Sequence, residues 1–253
     1  VPRIVVMTAG GLNPQVIINV LAAHFPDIHV IEEQPESKGT ILRRRARRLG
    51  WLNAAGQLAT MIASRLGKTV AARRSDEIVR QYGLSAIPNP AVSVTHVSSL
   101  NNAECHALVT RLEPAVVFTI SCRILSRATL ASIPCPVINF HAGINPAYRG
   151  QMGGYWARVE KDEANFGGTV HLVDAGVDTG DILYQSHVTP HKTDTIATYP
   201  LQITAASTVI IVKAIRDALG GNLQPQPATG TSVLRFPPPI WTWVYHGITK
   251  RIW

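Results

Sequence analysis

Short apolar runs alternate along this chain with longer stretches in which apolar residues recur every three or four positions. Runs of the first kind cover Arg3 to Met7, Ile28 to Gln34, Val92 to Val97, Ala115 to Ile120 and Val137 to His141. Their Val and Ile content predicts strands, several of them buried on both faces. Stretches of the second kind, Val16 to Phe25, Asn101 to Leu112, Arg127 to Ile133, Gly153 to Lys161 and Thr195 to Leu219, predict helices. Gly220-Gly221 ends the last of these, and Pro200 fits it only in the first turn or at a kink. Two further strands, Thr169 to Val173 and Ile182 to Val188, flank an acidic turn. Strands alternating with helices predict an α/β chain with a Rossmann-like, mostly parallel twisted sheet and helices on both faces.

One segment departs from that rhythm. Between Gly39 and Lys68 the residues Leu42, Ala46, Leu49, Leu52, Ala55, Leu58, Ile62 and Leu66 recur at helical spacing, which predicts a packed face on a helical pair broken near Gly50 or Gly56. The helical insertion runs over about 39–82, inside a domain expected over 1–219. A Pro- and Trp-rich tail, 220–253, follows, and its aromatic residues are expected to pack on the core, with a homodimer, membrane or acceptor contact as the other roles open to them.

Charge sharpens this picture. The net charge is +8, yet Lys38 to Arg74 alone hold ten basic residues and no acidic one, so the remaining chain is slightly acidic. Arg43, Arg44, Arg47 and Arg48 fall largely off the packed face. Beside a plain solvated face, this stretch suits an anionic partner: a phosphorylated or nucleotide-linked acceptor, an anionic membrane surface, or RNA. Nucleic acid is the least expected, because Trp51 is the sole aromatic residue among the charges.

Hydrophobic residues make up 46% of the chain, which argues for a packed core and against disorder. No apolar run reaches the ~20 residues of a bilayer span, and Val1 to Gly11 reads as a strand and turn rather than a signal peptide. Cys105, Cys122 and Cys135 lack paired metal spacing and are odd in number, so a reducing cytoplasm is expected, with a peripheral membrane location compatible with the basic stretch.

The chemistry gathers at the ends of two strands. Asn139 and His141 stand two apart on an extended run and so point the same way, and Asp178 lies in the acidic turn some forty positions on. An amide, an imidazole and a carboxylate suit acyl transfer to an amine, which develops a negative oxygen and a positive nitrogen. The amide donates to the oxygen, the imidazole stabilises it or moves a proton, and the carboxylate orients the imidazole. No metal is required. The three aspartates of 174–181 lack the calcium-loop pattern, and Cys122 is not expected to be a nucleophile.

Asn-x-His with a Pro/Gly loop and a later Val-Asp-Thr-Gly resembles the folate-dependent formyltransferase family, which includes glycinamide ribonucleotide, methionyl-tRNA and sugar-amine formyltransferases. The likeness extends from Glu113 to Leu130 and forward through Tyr199 to Ser207. It implies 10-formyltetrahydrofolate as formyl donor, with Asn139, His141 and Asp178 as catalytic residues. It also implies a pterin pocket lined by Cys122, Arg123, Ile124 and Leu125 and bordered by Asp174, Ala175, Gly176 and Val177. The loop after the first strand often faces the acceptor in this family, so Gly10, Gly11 and Asn13 are expected at the acceptor, as is Asn145. Where many members carry Ser-Leu-Leu-Pro after the His, this chain reads Ala142 to Pro146, a difference that bears on the acceptor.

The acceptor expected is a small-molecule primary amine, most simply an amino sugar on a nucleotide or lipid carrier, because the tail is too short for the RNA-engaging barrel of methionyl-tRNA formyltransferases. Glycinamide ribonucleotide formylation, formyltetrahydrofolate hydrolysis, and a folate- or membrane-binding module without turnover are the alternatives. His171 is expected within a strand, facing the sheet or a helix.

Overall fold

The computed structural model describes residues 1–64 and 68–253, with Lys68 described by its backbone alone. Arg65 and Leu66, placed above in the basic stretch and on the packed face, lie outside the described residues, as does the Lys68 side chain.

The strand β1 (Ile4–Thr8) is buried along its whole length. Its alternate side chains enter two separate cores, Ile4 and Val6 joining Ile17, Phe118 and Ile138, and Val5 and Met7 joining Ile31, Val97 and Val117. Both faces of the sheet are therefore covered, as an apolar run without alternation requires. Next come β2 (Ile28–Glu33), β3 (Ser93–Val97), β4 (Val116–Thr119) and β5 (Val137–His141), all paired in parallel. A short β6 (Arg149–Gly150) leaves this sheet, and β7 (Gly167–Leu172) and β8 (Ile182–His187) complete it antiparallel, in the order β3-β2-β1-β4-β5-β7-β8. The order reverses between β1 and β4, and Ala9 N–H donates to Ser121 O across that point at 3.1 Å. Ligands of open α/β sheets bind at such a reversal, beyond the strands' carboxyl ends.

The helix α1 (Leu12–His24) covers one face of the sheet. The insertion between β2 and β3 consists of α2 (Lys38–Leu49), α3 (Trp51–Ala63) and α4 (Lys68–Gln81). Gly50 stands between the first two at φ 82°, a conformation open to glycine at little cost, and this turn resets the helical register. Leu52, Ala55 and Ile62, expected on the packed face, are consequently exposed, and α3 buries Ala54, Gly56, Gln57 and Thr60 instead. Small residues serve that face because another helix lies against it. A Cβ on Gly56 would overlap the Trp241 ring and Pro239, and Thr60 Oγ1 donates to Pro238 O at 2.8 Å. Arg74 also leaves the free basic set, because it is buried in α4 against Asp194 at 2.7 Å and Glu77 at 3.2 Å.

After β3 the chain forms α5 (Ala103–Leu112), α6 (Arg127–Ser132) and α7 (Gly153–Val159). The stretch expected as one helix to Leu219 is two, α8 (Tyr199–Ala206) and α9 (Thr208–Leu219). Ser207 interrupts them, its hydroxyl donating back to Ile203 O at 2.7 Å and meeting Ser186 Oγ at 2.6 Å, a local bond that competes with the helix. The tail pairs β9 (Leu234–Arg235) with β6 and ends in α10 (Ile240–Lys250), which packs on α3.

Candidate active site

Asn139 and His141 lie on the face of β5 opposite to Ile138 and Phe140. The antiparallel register sets His171 of β7 directly across from Asn139, so cross-strand neighbours share that face. Asp178 arrives from the β7–β8 loop, held at φ 51° inside a turn in which Asp174 Oδ1 accepts from Gly176 N–H (2.9 Å) and Thr179 Oγ1 (2.6 Å). Its Oδ2 also accepts from Gly150 N–H at 2.9 Å.

The resulting cluster is tight. His141 Nδ1 stands 3.6 Å from Asp178 Oδ2, and His171 Nε2 stands 3.4 Å from Asp178 Oδ1. Each ring's other nitrogen meets a backbone carbonyl, His141 Nε2 with Tyr148 O and His171 Nδ1 with Leu172 O, both at 2.7 Å. A carbonyl accepts only, so those nitrogens carry the protons of the neutral rings, and the nitrogens facing Asp178 hold the lone pairs. Asn139 Nδ2 donates to His171 Nε2 at 3.0 Å and lies 3.4 Å from Asp178 Oδ1, while Thr119 Oγ1 donates to Asn139 Oδ1 at 2.8 Å and fixes the amide's orientation. Burial alone would push the Asp178 carboxyl up. Once they are protonated, the His141 and His171 rings, together with the Gly150 N–H, outweigh it and hold the group well below the usual carboxylate range.

Two cavities meet at this cluster. The first, about 370 Å³, is lined by Cys122, Arg123, Ile124, Leu125, Asp174, Gly176, Val177 and the Asn139–His141–His171–Asp178 group. Its upper loop rests on Glu33, a fully buried carboxylate that accepts from Arg123 N–H at 2.6 Å and faces Arg123 Nε at 3.0 Å. Burial, then the Glu33 charge, pushes the Cys122 thiol up to about 12, so it stays protonated at neutral pH. The second cavity, about 320 Å³, shares His141, Ala142, Gly150 and Gln151 with the first.

Ala175 is not among the residues that line the first cavity, although its loop neighbours are. Gly10, Gly11 and Asn13 line neither cavity, and the Glu32 carboxylate sits against Gly10, where a negative charge opposes an anion. Asn145 is buried, its side-chain amide has no hydrogen-bond partner among the described residues, and it lines neither cavity. His171, read from sequence as a strand residue, is the one whose ring enters the cluster unannounced. Its signal was the alternation in Gly-Thr-Val-His-Leu-Val, which sets it apart from buried Val170, but only the register with β5 shows what it faces. Among the described residues no group of three or more His, Cys, Asp or Glu side chains is arranged to hold a metal, and no helix is long and apolar enough to cross a membrane.

The chain belongs to the formyl transferase family, whose model matches residues 59–215, more than half of its length. A methionyl-tRNA formyltransferase of Bordetella petrii is 36% identical over 111 residues, which cover 43% of this chain and 34% of that protein. The chain spans 30% to 54% of the length of the curated methionyl-tRNA formyltransferases it matches. In fold it resembles glycinamide ribonucleotide transformylase 1 of Symbiobacterium toebii (TM-score 0.56, 22% identity, 92% of this chain and 94% of that one). It also resembles an N-formyltransferase of Helicobacter canadensis solved with folinic acid and dTDP-3-aminofucose (TM-score 0.55, 13% identity, 93% and 71%).

Proposed function

We propose that this chain transfers the formyl group of 10-formyltetrahydrofolate to the primary amine of an amino sugar carried on a nucleotide or a lipid. The observation that carries the reading is the meeting of Asn139, His141 and Asp178 on the wall of the first cavity, with His141 also lining the second, so that a donor in one and an acceptor in the other can both reach His141.

The residues of the first cavity suit a folate. Ile124, Leu125, Val173 and Val177 supply apolar surface for a flat bicyclic ring, and the Asn139 amide stands at the inner end. When bound, the folate supplies a formyl carbon attached to a nitrogen leaving group. Asn139 Nδ2 has one N–H on His171 and a second, only loosely engaged by Asp178 at 3.4 Å, that is free to turn to the formyl oxygen as charge grows there. His141 Nδ1 takes the proton released by the attacking amine and returns it to the leaving nitrogen, while Asp178 stabilises the imidazolium formed in between. His171, locked through Leu172 O, orients the amide.

An amino sugar is favoured as acceptor because the Helicobacter neighbour was solved with a nucleotide-linked amino sugar beside folinic acid. An anionic membrane surface is the partner that best suits the outer face of the insertion, where the exposed Arg43 and Arg47 of α2 adjoin the exposed Trp51, Leu52 and Ile62 of α3. The test is incubation with 10-formyltetrahydrofolate and, separately, nucleotide-linked amino sugars, glycinamide ribonucleotide, methionyl-tRNA or no amine, followed by tetrahydrofolate release and product mass. Formylated amino sugar supports the reading. Formylation of glycinamide ribonucleotide or tRNA alone replaces the acceptor, release without amine makes the protein a hydrolase, and no release in any arm refutes formyl transfer.

A further inference from the structure

Among the described residues, the second cavity contains a cation without an ion-pair partner. Arg45, from α2, lines it together with Met61, Met152, Tyr155, Tyr199 and Pro237, and among the described lining residues it is the only permanent charge. Its guanidinium donates to Gln151 Oε1 at 3.0 Å and to Met61 Sδ at 3.3 Å, both neutral acceptors. Among the described residues it makes no ion pair, whereas Arg3, Arg74, Arg123, Arg158 and Arg235, all at least partly buried, each meet a carboxylate, and the partly buried Arg149, which also has none, spends its donors on Val177 O and Ser232 Oγ. A guanidinium half withdrawn from water, with several of its five donors unspent, is a receptor for planar, multidentate anions.

We infer that the second cavity binds the phosphate or diphosphate of the acceptor through Arg45, with Gln151 as its hydrogen-bonded support. This deepens the formyl-transfer reading and rests on it, because a molecule held there meets His141, which the cavity shares with the one assigned to the folate. The rest of the molecule points to the same place. Asp174 and Asp178 line the first cavity and repel a phosphate, and Glu32 does so at the Gly10 turn. Burial, then the neighbouring Arg44 charge, lowers the Arg45 pKa, with Glu36 offsetting only part, so an arriving anion relieves a strained charge rather than competing for a satisfied one. The wall is also well supported. α2 packs on α3, α3 is pinned to the tail through Thr60 and Pro238, and Pro237 of that tail completes the lining. Arg45 is supplied by α2 of the insertion and precedes the residues matched by the family model.

The test uses the full chain saturated with folinic acid and titrated calorimetrically with inorganic pyrophosphate, dTDP or farnesyl diphosphate. Wild type should bind pyrophosphate, and whichever of the two carriers binds more tightly identifies a nucleotide or a lipid source. Arg45→Ala should weaken pyrophosphate binding by about tenfold or more, Arg45→Lys by less, and the solvent-facing Arg43→Ala by no more than about twofold. Folinic acid affinity and the melting temperature should be unchanged in all three variants. Equal losses in Arg43→Ala and Arg45→Ala, or no binding of pyrophosphate by the wild type, would overturn the assignment. A failure to bind folinic acid would instead count against formyl transfer, and the pyrophosphate titration would still decide the Arg45 site by itself.

Discussion

Replacing Asp178 by Asn is the most discriminating perturbation of the site. The change preserves side-chain volume, and the amide oxygen of Asn can still accept from Gly150 N–H, so the loop has no reason to move. What disappears is a negative charge facing His141 Nδ1 at 3.6 Å and His171 Nε2 at 3.4 Å. At an effective dielectric of about 20, a unit charge at that range attracts an imidazolium by about 4 to 5 kcal/mol. If most of this stabilisation is used while His141 holds the amine's proton, its loss lowers kcat by about a thousandfold, within the range of about 10² to 10⁴ typical of positioned proton transfer. The folded state should change by only about 1 kcal/mol. The Asp178 pKa is depressed on folding, so its contribution to stability is present above the unfolded carboxylate range, about pH 4, and fades as pH falls through the lower folded value. Any melting deficit of Asp178→Asn should therefore narrow at acid pH. Single-turnover release of tetrahydrofolate, paired with thermal melts from neutral to acid pH, measures both effects. A variant within about tenfold of wild-type kcat would refute the proton-holding role.

Three further outcomes follow from the same geometry. Glu33→Gln should loosen the Arg123–Leu125 loop, raising the dissociation constant for folinic acid by about tenfold with kcat largely retained, and lowering stability by about 3 kcal/mol because a half-buried arginine loses its counter-ion. Cys122→Ala should keep activity within about threefold, and the wild-type thiol should resist alkylation at pH 8, since it titrates only at about 12. Arg43→Glu/Arg47→Glu should reduce sedimentation with phosphatidylglycerol vesicles by about tenfold at low salt without altering formyl transfer to a soluble acceptor, and equal sedimentation of variant and wild type would remove the membrane partner.

The sheet was legible because its central strands are short continuous apolar runs, and the Asn139–His141 pair because residues two apart on a strand share a face. Asp178 was placed by family resemblance, since nothing local links an acidic turn to a strand some forty positions earlier. Glu33 and Ser207 were not legible at all. Glu33 ends an unremarkable strand, and its meaning depends on Arg123, ninety residues away in the chain. Ser207 breaks a helix through a hydroxyl bond that a neighbouring strand residue, Ser186, completes.

Arg45 is the more instructive case, because its signal was present in the helical period and hidden by its neighbours. It lies three positions after Leu42 and four before Leu49, so it shares their side of α2, whereas Arg43, Arg44, Arg47 and Arg48 are exposed. In a run of five arginines the eye counts charge, but the angle around the helix decides which charge is withdrawn from water. A cation on the inner face needs an anion, and the sequence offers none from Lys38 to Arg74, the nearest acidic residues of the insertion being Asp76 and Glu77 in α4. Such a residue either finds a distant carboxylate, as Arg74 does in Asp194, or keeps its donors for something that is not protein. Arg45 and Arg74 come from the same basic stretch and take these two routes, which is why the net charge of the segment says so little about its purpose and the pairing of each residue says so much.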